Sequence, residues 1–131
     1  MNEASTIGIS LEYMDRIHKA FNDHDLDAIV DFFADDGEFL LSRGNEPWGT
    51  KLKGKQQIRD FLAKRFAEMG DMHWKPITRF VCGNRAVSEW VVVGGLKNGR
   101  RLELYGCDLY EFSGQKIVKK DTYWKSMEKA V

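Results

Sequence analysis

Val91-Val92-Val93-Gly94-Gly95-Leu96-Lys97-Asn98-Gly99-Arg100-Arg101-Leu102-Glu103-Leu104-Tyr105 places an Asn-Gly pair between two strand-forming runs. Asn-Gly suits the positive-φ positions of a two-residue hairpin loop. The spacing therefore predicts a strand over 85–97 that returns over 100–112. Outward from it, His73–Cys82 turns at Gly83-Asn84 into the first of these strands. Ser113-Gly114-Gln115 turns the second into Lys116–Lys125, which completes a meander of long antiparallel strands.

The first half of the chain has helical periodicity. Leu11, Met14, Ile17, His18 and Phe21 share one face of a helix over 9–23. Asp25 is placed to cap a second helix whose apolar members are Leu26, Ile29, Val30 and Phe33. Asp35-Asp36-Gly37 ends it, and Glu38–Leu41 follows as a first strand. A loop over 43–54 carries Trp48 between Pro47 and Gly49, where no strand or helix period explains it; it suits a lid over a cavity mouth. A third helix buries Ile58, Phe61, Leu62, Phe66 and Met69 and stops at Gly70. Three N-terminal helices followed by a meander read as an α+β fold with the helices on one sheet face. No linker divides residues 1–131, so one domain is expected, with 1–8 as a flexible N-terminus.

Composition narrows the classes. The chain has 131 residues, 43% hydrophobic, with 20 basic and 20 acidic side chains. Such a chain can bury a core without staples. Zero net charge argues against a nucleic-acid or membrane-surface binder. Residues 1–38 hold ten acids and two bases, and the remainder balances them. No signal sequence or long apolar run is present, so a cytoplasmic location is expected. Cys82 and Cys107 are expected as buried thiols, and the three histidines lack metal-ligand spacing. Neither a metal nor another cofactor is expected.

Register supplies the candidate site. A two-residue Asn98-Gly99 loop sets Lys97 opposite Arg100 and hence Glu89 opposite Asp108. Their face would carry Val87, Val91, Val93, Leu104, Gly106, Tyr110 and Phe112, and the other face Ser88, Trp90, Val92, Tyr105, Cys107 and Leu109. A three-residue Ser113-Gly114-Gln115 loop would set Lys120 opposite Asp108 and complete a row. Two carboxylates side by side repel, and burial disfavours their charged forms, so they would share a proton or pair with a cation. The row suits either a buried ion-pair network or a proton-handling site. A bulge at Gly94-Gly95 would exchange the faces.

These residues resemble a known family. Asp25–Gly37 is similar to the second-helix segment of nuclear-transport-factor-2-like proteins. Gly54-Lys55-Gln56-Gln57-Ile58-Arg59-Asp60-Phe61-Leu62 resembles the third-helix entry of SnoaL-like polyketide cyclases and ketosteroid isomerases. Asn98–Arg100, Gly106–Phe112 and Tyr123-Trp124 are similar to their last hairpin. The resemblance implies a cystatin-like, SnoaL-like α+β barrel: a cone-shaped, curved antiparallel sheet wrapped around three helices and a hydrophobic pocket, commonly a homodimer. It places the isomerases' strand aspartate on Asp108 and the pocket tryptophan on Trp124. Their base position falls near Leu41 and their tyrosine on Ile17, so two of the three catalytic groups differ. The last-strand aspartate of epoxide hydrolases of this fold falls near Thr122.

Two kinds of function follow. One is a cofactor-independent acid/base enzyme of isomerase, cyclase or lyase type acting on a small, apolar, carbonyl-bearing molecule. Asp108, Glu89 and Lys120 would be catalytic. Tyr13, Ile17, Trp48, Phe61, Trp74, Tyr110, Thr122 and Trp124 would line the pocket. The other is a non-catalytic ligand-binding or dimeric interaction protein, a homodimer joined through an outer sheet face carrying Trp90, Tyr105 and Leu109.

Overall fold

In a computed structural model, residues 8–128 are described; the expected flexible segment 1–8 lies outside them except for Gly8. Helix α1 spans Leu11–Asn22, opened by Ser10, whose hydroxyl accepts from the Tyr13 amide at 3.0 Å. Helix α2 is Leu26–Phe32, capped by Asp25 on Ala28 N at 3.1 Å. Strand β1 begins at once, Phe33–Leu40, so Asp35-Asp36-Gly37 lies inside a strand. The expected loop hides a short strand, β2 (Lys51–Lys53), which runs antiparallel to β1 before α3 (Lys55–Glu68).

Strands β3 (His73–Cys82), β4 (Arg85–Gly95), β5 (Arg101–Ser113) and β6 (Lys116–Trp124) form the expected meander. The six strands make one curved, unclosed sheet in the order β2-β1-β6-β5-β4-β3. It is mixed rather than wholly antiparallel, because β1 lies parallel to β6 and sets Phe39 beside Lys120. Parallel neighbours need a long crossover and leave no turn signature between them.

The helices cover one sheet face, and the core between them holds Ile17, Ile29, Phe33, Ile58, Val92 and Ile117, all at most 1% exposed. Leu11, expected on the buried face of α1, is exposed. Cys82 is exposed and Cys107 half-buried, so neither is the buried thiol expected. Among the described residues no helix is long and apolar enough to cross a membrane.

Candidate functional site

Glu89 does not meet Asp108. Leu96, not Lys97, faces Arg100: its amide donates to the Arg100 carbonyl at 2.8 Å, leaving a three-residue loop, Lys97-Asn98-Gly99. Gly99 takes φ +91°, the left-handed position that ends a type I turn with a bulge. One extra loop residue changes every partner on β4. Asp108 pairs with Ser88, and Glu89 pairs with Cys107 on the outer face, where it is exposed. Gly94 and Gly95 stay in continuous register with Leu102 and Arg101, so the displacement comes from the loop and not from a bulge there. Trp90, expected outside, is carried inward to 2% exposure.

The other end of β5 behaves differently. A two-residue turn sets Ser113 against Lys116, and Val118 then bulges out of the ladder, so Asp108 faces Thr122. Lys120 sits diagonally on the same inner face. Its Nζ donates to Asp108 Oδ1 at 3.0 Å and to Thr122 Oγ1 at 2.9 Å. Thr122 Oγ1 donates to the same carboxylate oxygen at 2.6 Å, and Trp90 Nε1 donates to Oδ2 at 2.9 Å. Asp108 is 7% and Lys120 5% exposed. The ammonium also lies 4.1 Å from the centre of the Phe39 ring and 4.8 Å from that of Phe21.

Electrostatics follow from this burial. Desolvation lowers the Lys120 pKa, opposed by the charge and hydrogen bond of Asp108. Desolvation also pushes the Tyr110 phenol well above its ordinary value, with the Asp108 charge acting in the same direction. The like-charge contact that would make two carboxyls share a proton is absent.

Indoles extend the site. Trp90 meets Trp74 and Trp124 edge-on, at 6.4 and 5.6 Å between ring centres. Gly106 makes room for Trp90: a Cβ there would lie 2.4 Å from the indole and from the Tyr123 carbonyl oxygen. Trp74 is held to α1 by three bonds. His18 Nε2 and Asn22 Nδ2 donate to its carbonyl at 2.7 and 2.9 Å, and its amide donates to Asn22 Oδ1 at 2.8 Å. Burial lowers the His18 pKa.

The remaining expected lining residues divide. Thr122 belongs to the polar group, Tyr110 lies beside it, and Trp74 and Trp124 reach it only through Trp90. Phe61 packs on Phe39, and Ile17 is a fully buried core residue. Tyr13 is turned away, its hydroxyl donating to the Gln115 carbonyl at the β5–β6 turn and its ring against Phe32 and Phe112. Trp48 is 52% exposed on its loop and does not line the concavity of about 550 Å³ that opens over Ile77, Glu89, Tyr105, Cys107 and Tyr123. Asp108, Lys120 and Thr122 do not line it either.

The profile of the SnoaL-like domain matches residues 14–120. The chain belongs to the SnoaL-like domain family. No curated protein matches it. Among solved structures this SnoaL-like domain is similar to an NTF2-like protein of unknown function from Burkholderia pseudomallei K96243. The two share 18% identity and a TM-score of 0.78 over 95% of this chain and 92% of that one. A protein provisionally named a polyketide cyclase, from Xanthomonas campestris pv. campestris, matches at 21% identity and TM-score 0.77, over 88% and 89%. A protein of ketosteroid isomerase-like fold from Catenulispora acidiphila DSM 44928, in complex with trimethylamine, matches at 20% and 0.74, over 88% and 86%. At these identities the likeness is one of fold.

Within this SnoaL-like domain, Phe21, Phe39 and the buried indole of Trp90 are site residues that strand periodicity did not expose. Phe39 reaches Lys120 only through the parallel β1·β6 pair. His18 sat on the inward face of its helix, but nothing local pointed to the Trp74 carbonyl as its partner. Chemically the polar group presents a carboxylate that accepts three bonds and an ammonium with two of its three N–H donors directed at oxygen. Among the described residues no three His, Cys, Asp or Glu side chains are grouped to hold a metal ion.

Proposed function

We propose that this SnoaL-like domain is a binding protein for a small, largely apolar, carbonyl-bearing molecule. The Asp108–Lys120–Thr122 group anchors the ligand's polar end. The observation that carries this reading is a buried, hydrogen-bonded charge pair in an otherwise apolar interior. Burying two charges costs free energy that apolar side chains of similar volume would not. Asp108, already accepting from Trp90, Lys120 and Thr122, is poorly placed to act as a proton donor. Lys120 retains one N–H that no oxygen takes, directed to the apolar side where the Phe39 ring lies. The half-buried aromatics Trp74, Phe61 and Trp124 pack around this interior and are the groups that rearrange as a ligand enters.

Titration with 2-acetonaphthone, followed by tryptophan fluorescence, tests the reading. Saturable binding is expected, at least tenfold weaker in Lys120→Met and weaker in the milder Thr122→Val. No saturable binding, or equal affinity in both variants, would overturn it.

A second reading, cofactor-independent proton transfer of isomerase, cyclase or lyase type, is favoured by the lowered pKa of Lys120. A less basic ammonium is a better proton donor to a bound carbonyl oxygen. Turnover of a carbonyl substrate that Lys120→Met abolishes while Thr122→Val retains it would establish this second reading.

The outer sheet face is proposed to join two copies. Ile77, Phe80, Tyr105, Leu109 and Tyr123 stand between 38% and 54% exposed on it, an apolar patch larger than isolated surface residues produce. Tyr105→Lys is expected to convert a dimer to a monomer in light scattering. A cytoplasmic location belongs to the same proposal, consistent with two unpaired cysteines.

A further inference from the structure

Arg65 is the cation that the site described so far does not use. It lies on the same face of α3 as Phe61, one turn further on, and that face looks into the aromatic interior. Its guanidinium sits 5.8 Å from the centre of the Trp124 ring. The side chain is half-buried, yet among the described residues it has neither a hydrogen-bonded partner nor a carboxylate within ion-pair distance. Exposed Arg100 also lacks one, but water solvates it. Arg65 has given up part of its hydration without a counter-charge in contact with it, a costly arrangement. Burial lowers the Arg65 pKa; the more distant charge of Glu68 opposes this, and that of Arg43, on the loop after β1, acts more weakly in the same direction as burial.

The indole beneath Arg65 leads inward. Trp124 touches Trp90, and Trp90 is bonded to Asp108. Trp124, Thr122 and Lys120 alternate along the inner face of β6, so about 13 Å of strand separates the first from the last. The arrangement is cationic at one end, apolar along its length, and hydrogen-bonding at the other.

We propose that Arg65, seated on Trp124, binds the carboxylate of an amphipathic organic acid whose apolar body lies along the Trp124–Trp90 indoles toward Lys120. This names the ligand class of the binding reading above and rests on it. A guanidinium suits the role because its planar fork matches a carboxylate and its face stacks on an aromatic ring.

The test compares 2-naphthylacetate with its methyl ester, both titrated against tryptophan fluorescence in the full chain. Wild type is expected to bind the acid at least tenfold more tightly than the ester. Arg65→Gln, which keeps most of the side chain over Trp124, is expected to weaken the acid at least tenfold and the ester less than twofold. Arg100→Gln is expected to change neither, and thermal melts of both variants report on folding. Equal wild-type affinity for acid and ester, or an Arg65→Gln affinity for the acid within twofold of wild type, would overturn the proposal. Either of those results alongside saturable 2-acetonaphthone binding removes the anion site and leaves the binding reading standing. Absence of binding by all three probes removes both.

Discussion

The turns at the two ends of β5 depart from the simplest expectation by one residue, with opposite consequences. At Leu96–Arg100 the loop holds three residues instead of two. Nothing in β4 corrects the shift, so every side chain of that strand changes face relative to β5. Glu89 leaves the site, and Trp90 and Ser88 enter it. At Ser113–Lys116 the loop holds two residues instead of three. Uncorrected, this would place Asp121 opposite Asp108 and turn Lys120 outward. The bulge at Val118 supplies the missing residue, and Lys120 returns to the inner face. In a strand the parity of a shift matters more than its size. One uncorrected step exchanges faces, and two steps restore them.

Substitutions can break each side of this contrast. The largest effect is expected at the product of the second turn. Lys120→Met leaves Asp108 buried without its cation and should cost about 3–5 kcal/mol in urea denaturation. Next is the product of the first turn. In Gly106→Ala the new Cβ meets the Trp90 indole and a backbone oxygen, each at 2.4 Å. A loss of about 1–3 kcal/mol is expected, with a shifted Trp90 indole N–H resonance in the NMR spectrum. Smaller again is Gly99→Ala. Nothing lies within 4 Å of the added Cβ, so its cost is that of the positive φ alone, about 1 kcal/mol. The smallest is Glu89→Gln, expected to change stability by less than about 0.5 kcal/mol because the side chain is exposed. A cost near that of Lys120→Met would mean that Glu89 reaches the buried pair after all.

Much of the architecture was legible from local signals. Asp25 caps its helix, the apolar stripe around Met14 and Ile17 is buried, and the meander from His73 onward lies where the turns indicate. The Asp108–Lys120 contact was also reachable, because two compensating shifts left its face unchanged. Three features were not. The Lys97-Asn98-Gly99 loop and the Asn98-Gly99 loop share the same residues and differ only in which neighbour closes the turn. The β1·β6 pair joins segments about 80 residues apart with no turn between them. Trp48, Tyr13 and Leu11 are apolar or aromatic, and their composition does not say whether they face core, turn or solvent.

The sequence by itself determined the kinds of element and their order, the SnoaL-like character of the chain, and Asp108 and Lys120 as groups worth pairing. Capping, helical period and turn chemistry act within a few residues, so they can be read along the chain. Tertiary structure alone decided which carboxylate stands beside Lys120, that Trp90 and Phe39 enclose it, and that Arg65 lies over Trp124. Those outcomes depend on strand register and on the packing of helices against the sheet. Distant residues settle such contacts together, through shape and the need to satisfy every buried polar group.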